Sequence, residues 1–178
     1  MYWIDRRVRD ARRGLALALM VAAGLSTTVV AQRAAAQTAV KGKLGGWETR
    51  CENPPGAQHE QCAIVQSVVD ADRPNITLVV IALKTADRKS RLLRVIAPLG
   101  VLLPTGIGLR IDNDDVGRMN FMRCQPNGCI AEVFLDDKLL GKLEGGTNAA
   151  LVLYQTMEEG IGVPMTLAGF KESFEALP

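Results

Sequence analysis

Four cysteines, one histidine and a short acidic cluster are the residues whose types could do chemistry in this 178-residue chain. Cys51 and Cys62 enclose a polar segment containing Pro54-Pro55-Gly56, and Cys124 and Cys129 enclose Gln125-Pro126-Asn127-Gly128. A dithiol oxidoreductase uses C-x-x-C with a depressed thiol pKa, and neither pair has that spacing. A tetrahedral zinc site favours close knuckle spacing, which is absent too. Crosslinking is what the pattern suits. Of the three pairings four cysteines allow, Cys51–Cys62 with Cys124–Cys129 is the expected one, each closing a turn-rich loop.

His59 lies in the loop between the first two cysteines. As the chain's only histidine it would have to be the base of any Ser-His-Asp arrangement, yet no G-x-S-x-G elbow supplies a nucleophile. His59-Glu60 begins an H-E-x-x-H pattern, but Ala63 stands where the second histidine belongs. A solvated loop histidine is the expectation. Asp112, Asp114 and Asp115 around Asn113 could weakly hold calcium through oxygen, but the twelve-residue loop and terminal glutamate of an EF-hand are missing. A hydrated turn is expected there, and ordinary surface turns at Asp136-Asp137 and Glu158-Glu159. Gly45-Gly46 and Gly145-Gly146 read as turn glycines, and Gly106-Ile107-Gly108 lacks the third glycine of a phosphate cradle. No catalytic residue, cofactor or metal is expected.

The elements that must position these residues begin with a leader. A basic head (Arg6, Arg7, Arg9, Arg12, Arg13) precedes an apolar run over 14–31 and then Ala34-Ala35-Ala36. That is the order of a secretory signal, which sends the rest of the chain into an oxidising compartment where cysteines pair. Retained instead, the same apolar helix would be a single membrane anchor, with membrane contact through residues 14–31. Six of the 21 basic residues and two of the 19 acidic ones lie in the first 36, so the overall +2 becomes −2 beyond them. The basicity belongs to the leader, and nucleic acid is not an expected partner.

Residues 37–45 read as a flexible linker, and 46–178 as one disulfide-stapled domain. Short apolar runs recur between turn residues at 64–69, 76–83, 91–96, 101–103, 109–111, 130–135, 149–154 and 163–167, and 118–123 alternates in character. The 130–135 run groups Ile130, Val133 and Leu135 against Ala131 and Phe134. Asp136-Asp137 then turns into 138–143, which reads as the second strand of a hairpin. Only 170–177 could form a late, short helix. This pattern predicts an all-β fold, an antiparallel β-sandwich-like domain with a short C-terminal helix.

An ordered set of residues gives the chain a family resemblance. Gly46-Trp47 stands before Cys51 and Cys62, Pro98-Leu99-Gly100-Val101-Leu102-Leu103-Pro104 follows, then Gly108-Leu109-Arg110-Ile111-Asp112. Cys124, Gly128-Cys129-Ile130-Ala131, Gly169-Phe170 and Ala176-Leu177 complete it. Over roughly 44–178 the chain resembles the invasion-associated locus B family of alphaproteobacteria. The resemblance implies an exported, periplasmic or outer-membrane-associated β-sandwich domain, and it carries no catalytic residue onto this chain.

Three functions compete. The first is a non-catalytic exported domain that binds a protein or envelope component in the periplasm or at the outer membrane. Val101, Leu102 and Leu103, framed by Pro98 and Pro104, are its candidate partner contact, with core packing as the competing role. The second is a single-span accessory subunit of an inner-membrane complex, its domain in the periplasm. The third is a hydrolase, which needs convergent carboxylates in a cleft.

Overall fold

β-Branched side chains stiffen an extended backbone and pack well on a pleated surface, so runs rich in them become strands. The computed structural model describes residues 39–178. Its ten strands are Ala39–Leu44 (β1), Trp47–Glu52 (β2), Gln61–Val69 (β3), Thr77–Lys84 (β4), Arg91–Ala97 (β5), Ile107–Ile111 (β6), Asp114–Gln125 (β7), Gly128–Phe134 (β8), Asn148–Tyr154 (β9) and Gly160–Thr166 (β10). Two short helices, α1 (Asp137–Gly145) and α2 (Phe170–Glu175), interrupt and end the series.

All neighbouring strands are antiparallel, in the order β1-β2-β3-β4-β5-β8-β7-β6-β9-β10. The sheet folds over at the long strand β7. Up to Met119 β7 pairs with β6, and from Asn120 it pairs with β8. The register shifts in both pairings, and bulges of this kind add the twist and bend a strand needs to change layers. One layer is therefore β1–β5 with β8, the other β6, β9 and β10, and β7 serves both.

Alternation along each strand decides what fills the space between. Ile64, Leu78, Val80, Leu93 and Val95 come from the first layer, and Ile107, Leu109, Leu151, Leu153 and Val163 from the second. All ten are at most 2% exposed and belong to one cluster. Full burial of such a side chain is worth ~1.5–3 kcal/mol relative to leaving it in water. Trp47, wholly buried, packs edge-to-face on Phe170 at 5.1 Å, and Phe170 stacks on Phe174 at 5.6 Å. Trp47 Nε1 and Gln66 Nε2 both donate to the Thr166 carbonyl, each at 3.2 Å, joining the two layers through one oxygen. The β1–β2 turn presses on the β10–α2 loop: a Cβ on Gly45 would lie 2.0 Å from the Ala168 oxygen, and one on Gly169 2.4 Å from the Leu44 oxygen. Both glycines also have positive φ, so neither position accepts a side chain.

The sandwich and its late helix agree with the sequence pattern, but four local expectations change. The segment read as a linker, 37–45, holds β1, which pairs from Ala39↔Cys51 to Leu44↔Trp47. All six of its residues are exposed, so it shows no apolar alternation and is held by backbone pairing with β2 and by the exposed ion pairs Lys41–Glu60 and Lys43–Glu48. The expected hairpin strand over 138–143 is helix α1. Asp136 caps it, accepting the Leu139 N–H at 2.7 Å, and Leu140 and Leu143, three apart, face the core. Residues 101–103 form no strand, because Pro104 starts a 3-10 turn over Leu103–Thr105. In β8 the pleat places Ala131, Val133 and Leu135 toward the core, with Ile130 and Phe134 on the other face. The leader, whether signal peptide or anchor helix, lies outside the described residues. Among the described residues no helix is long and apolar enough to cross a membrane.

Candidate functional site

The cysteines pair in sequence order. Cys51 and Cys62 face each other across β2 and β3, and Cys124 and Cys129 across β7 and β8, with Cα–Cα distances of 4.1 and 3.9 Å. Glu60 stands beside Cys62, yet both sulfurs of that pair are covalently committed, so the trio offers no thiolate for a metal.

The other residues singled out from sequence are scattered and structurally employed. His59 is exposed in the loop before β3. Asp112 and Asn113 both have positive φ and make the two-residue turn between β6 and β7. The Asp112 carboxylate accepts the backbone N–H groups of Asn148 (2.9 Å) and Thr147 (3.0 Å). Those two bonds hold its carboxyl below the usual range. Asp114 pairs with Lys142 at 3.5 Å, Asp137 with Arg91 at 2.7 Å and Glu159 with Arg73 at 3.1 Å. Gly145 and Gly146 end α1, and Gly106 ends the 3-10 turn. Of the apolar trio, Val101 is buried in the core, Leu102 is half-buried with its N–H on the Tyr154 carbonyl, and Leu103 is 45% exposed. Of the three, Leu103 is the exposed one.

A larger feature is the solvent side of the first layer. An antiparallel layer with one wet face ordinarily alternates apolar-in and polar-out. Here the outward positions are apolar as well. Ala63 and Val65 on β3 stand beside Leu83 and Ile81 on β4, Val79 beside Ile96 on β5, and Leu83 beside Leu92. Ile130 and Phe134 on β8 extend the row. A shallow groove of ≈ 330 Å³ has Ala63, Val65, Val79, Ile81 and Leu83 as its floor, with Arg50, Glu52, Gln61, Lys84 and Arg94 also lining it. Phe134 is 69% exposed and Val69 49%. Among the described residues three ion pairs stand on this face: Arg50 and Lys43 share Glu48 at 2.9 and 3.6 Å, and Arg94 meets Glu132 at 2.6 Å. Hydrogen bonding from Arg50 holds the Glu48 carboxyl below its ordinary range. The reading from sequence missed this face. Its signal was the unbroken apolar run Leu78–Leu83, which occupies both sides of β4 where alternation would occupy one.

The fold and these surfaces define a class: a small antiparallel β-sandwich, stapled by disulfides between neighbouring strands. A family model described as "Invasion associated locus B (IalB) protein" matches residues 47–178, and the chain belongs to that family. Invasion protein B homologues from two strains of Brucella abortus, 2308 and 9-941, are each 37% identical to it over 54 residues. Those stretches span 30% of this chain and 31% of each homologue, less than a third of the relatives' length. The crystal structure of invasion associated protein B from Bartonella henselae superposes with a TM-score of 0.60 at 19% identity, covering 77% of this chain and 92% of that one. At that identity the likeness concerns the fold. Membership of that family is consistent with a non-catalytic domain.

Proposed function

We propose that this chain is an exported domain of the cell envelope that binds another envelope protein through the outer face of its first layer. The observation that carries the reading is the apolar row across the middle of this sheet face, with the ion pairs around it, among the described residues, met within the chain. Such a face calls for a partner surface that is itself apolar and needs no complementary charge. The sheet edges support the face over strand addition. Edge β10 carries Pro164, which cannot donate to a ladder, and edge β1 carries Lys41, Lys43 and a register shift at Gly42. All of these blunt edge pairing.

A photo-crosslinking residue placed at Phe134 in the full chain, expressed in its own envelope, tests the reading. The expected result is a discrete heterologous adduct that an Ile81→Glu substitution weakens at least ~10-fold, with no adduct from the same probe at Lys171 on α2. An adduct with a second copy of the chain would replace the envelope partner by self-association. Equal yields from Phe134 and Lys171 would refute the face. N-terminal sequencing of the native protein tests export: a start near Gln37 marks a cleaved leader, and an intact leader marks the anchored subunit.

A further inference from the structure

On the other layer, the outer face of β6, β7 and β9 holds a cleft of ≈ 350 Å³. The register sets its parts. Gly108 on β6 lies between Arg118 on β7 and Val152 on β9, and Arg110, two residues along β6, lies opposite Asp115. The cleft is bare backbone at Gly108, where a Cβ would meet the Val152 Cβ at 3.3 Å. Glycine inside a strand costs stability and often marks a place where another group approaches the backbone closely.

The arginines are held in place by neutral partners only. Arg118 lies over the Tyr154 ring, 5.5 Å from its centroid, and donates through Nη1 to the Thr105 carbonyl at 3.0 Å. Arg110 donates through Nη2 to the Asn113 carbonyl at 3.3 Å. Among the described residues neither arginine takes part in an ion pair. Asp115, the carboxylate lining the cleft, accepts the Gly117 N–H of its own strand at 3.0 Å. A guanidinium offers five N–H donors in a planar fork, so each arginine retains donors after its single backbone bond. Two cations against one carboxylate leave the cleft positive. Val152 and the half-buried Tyr154 supply an apolar wall beside them.

We propose that this cleft binds an oxyanion, carboxylate or phosphate, carried on a small ring-bearing molecule. Arg110 and Arg118 take the oxyanion through charge-assisted hydrogen bonds, and the Val152–Tyr154 wall takes the ring. The site is independent of the apolar face on the first layer.

Amide shifts of the isotope-labelled full domain, titrated with phenyl phosphate, benzoate and inorganic phosphate, test it. The expected result is saturable shifts at Gly108, Arg118, Val152 and Tyr154, with a Kd of ~1 mM or tighter for phenyl phosphate. Inorganic phosphate should bind about 10-fold more weakly, lacking the ring. Arg110→Gln and Arg118→Gln should each weaken phenyl phosphate about 10-fold or more while amides elsewhere stay in place, which shows the fold is kept. A flat titration to ~10 mM, or a double variant that binds as wild type does, overturns the site. Equal affinity for phosphate and phenyl phosphate overturns the role of the wall. Arginine-dependent binding to phosphatidylglycerol vesicles, with no response to phenyl phosphate or benzoate, overturns the small molecule in favour of a lipid headgroup.

Discussion

One backbone oxygen joins the two layers, and the Thr166 carbonyl should therefore show mutational coupling. It accepts Trp47 Nε1 and Gln66 Nε2, both at 3.2 Å. Trp47→Phe removes one donor and part of a ring that is 0% exposed. Gln66→Met removes the other donor and keeps the side chain's length. In either single variant the carbonyl retains a partner, so each loses a hydrogen bond worth ~0.5–1.5 kcal/mol. Trp47→Phe adds a cavity cost of ~1–2 kcal/mol for the smaller ring. In the double variant the carbonyl loses both donors, and an acceptor orphaned in this part-buried position costs up to ~1–3 kcal/mol more. The double variant should therefore fall below the sum of the singles by ~1–2 kcal/mol. Urea unfolding followed by far-ultraviolet circular dichroism, with disulfides intact, measures this without relying on the tryptophan being replaced. Additivity within ~0.5 kcal/mol would refute the reasoning, because it would mean that solvent reaches the oxygen.

Three further outcomes follow from other sites. The disulfides span 11 and 5 positions, so replacing Cys51 and Cys62 by Ala should cost ~3 kcal/mol and replacing Cys124 and Cys129 ~2 kcal/mol, read from urea midpoints. Gly128→Ala would place a Cβ 2.5 Å from the Ala97 oxygen at a φ of 144°, so it should disturb the β5–β8 pairing and lower stability by more than ~2 kcal/mol in thermal unfolding. The Asn148 and Thr147 N–H groups depress the folded pKa of Asp112. Its contribution is complete above the unfolded value of about 4 and is lost as pH falls through the lower folded value. Asp112→Asn should therefore flatten the acid limb of a Tm-against-pH curve, and an unchanged limb would contradict the assignment.

Residues that carried the family resemblance have structural work that explains their types. Trp47 fills the end of the core, and a Cβ on Gly46 before it would displace the Gln66 amide that bonds the Thr166 carbonyl. Gly169 with Phe170 and Gly128 with Cys129 repeat the pattern of a crowded glycine beside a buried residue. The central strands were legible because burial on a pleat leaves a mark in side-chain type. Strand β1 left none, because its exposed side chains are free of any packing demand and its order comes from β2's backbone. Helix α1 was misread because Asp136 suits a turn and an N-cap equally, and only the buried pair Leu140 and Leu143 separates them.

The candidate surfaces divide the same way. Cysteine spacing marked the two staples, since each closes a loop too short and polar to fold on itself. The apolar outer face and the arginine cleft arise from strands that are not neighbours in sequence, such as β5 with β8 and β6 with β9. What the sequence by itself determined was the central strands, the staples and the family, because these depend on residue type and local period. Which outward faces meet, and which cations go without a carboxylate, only the tertiary structure decided, because register across distant strands is a property of the folded sheet.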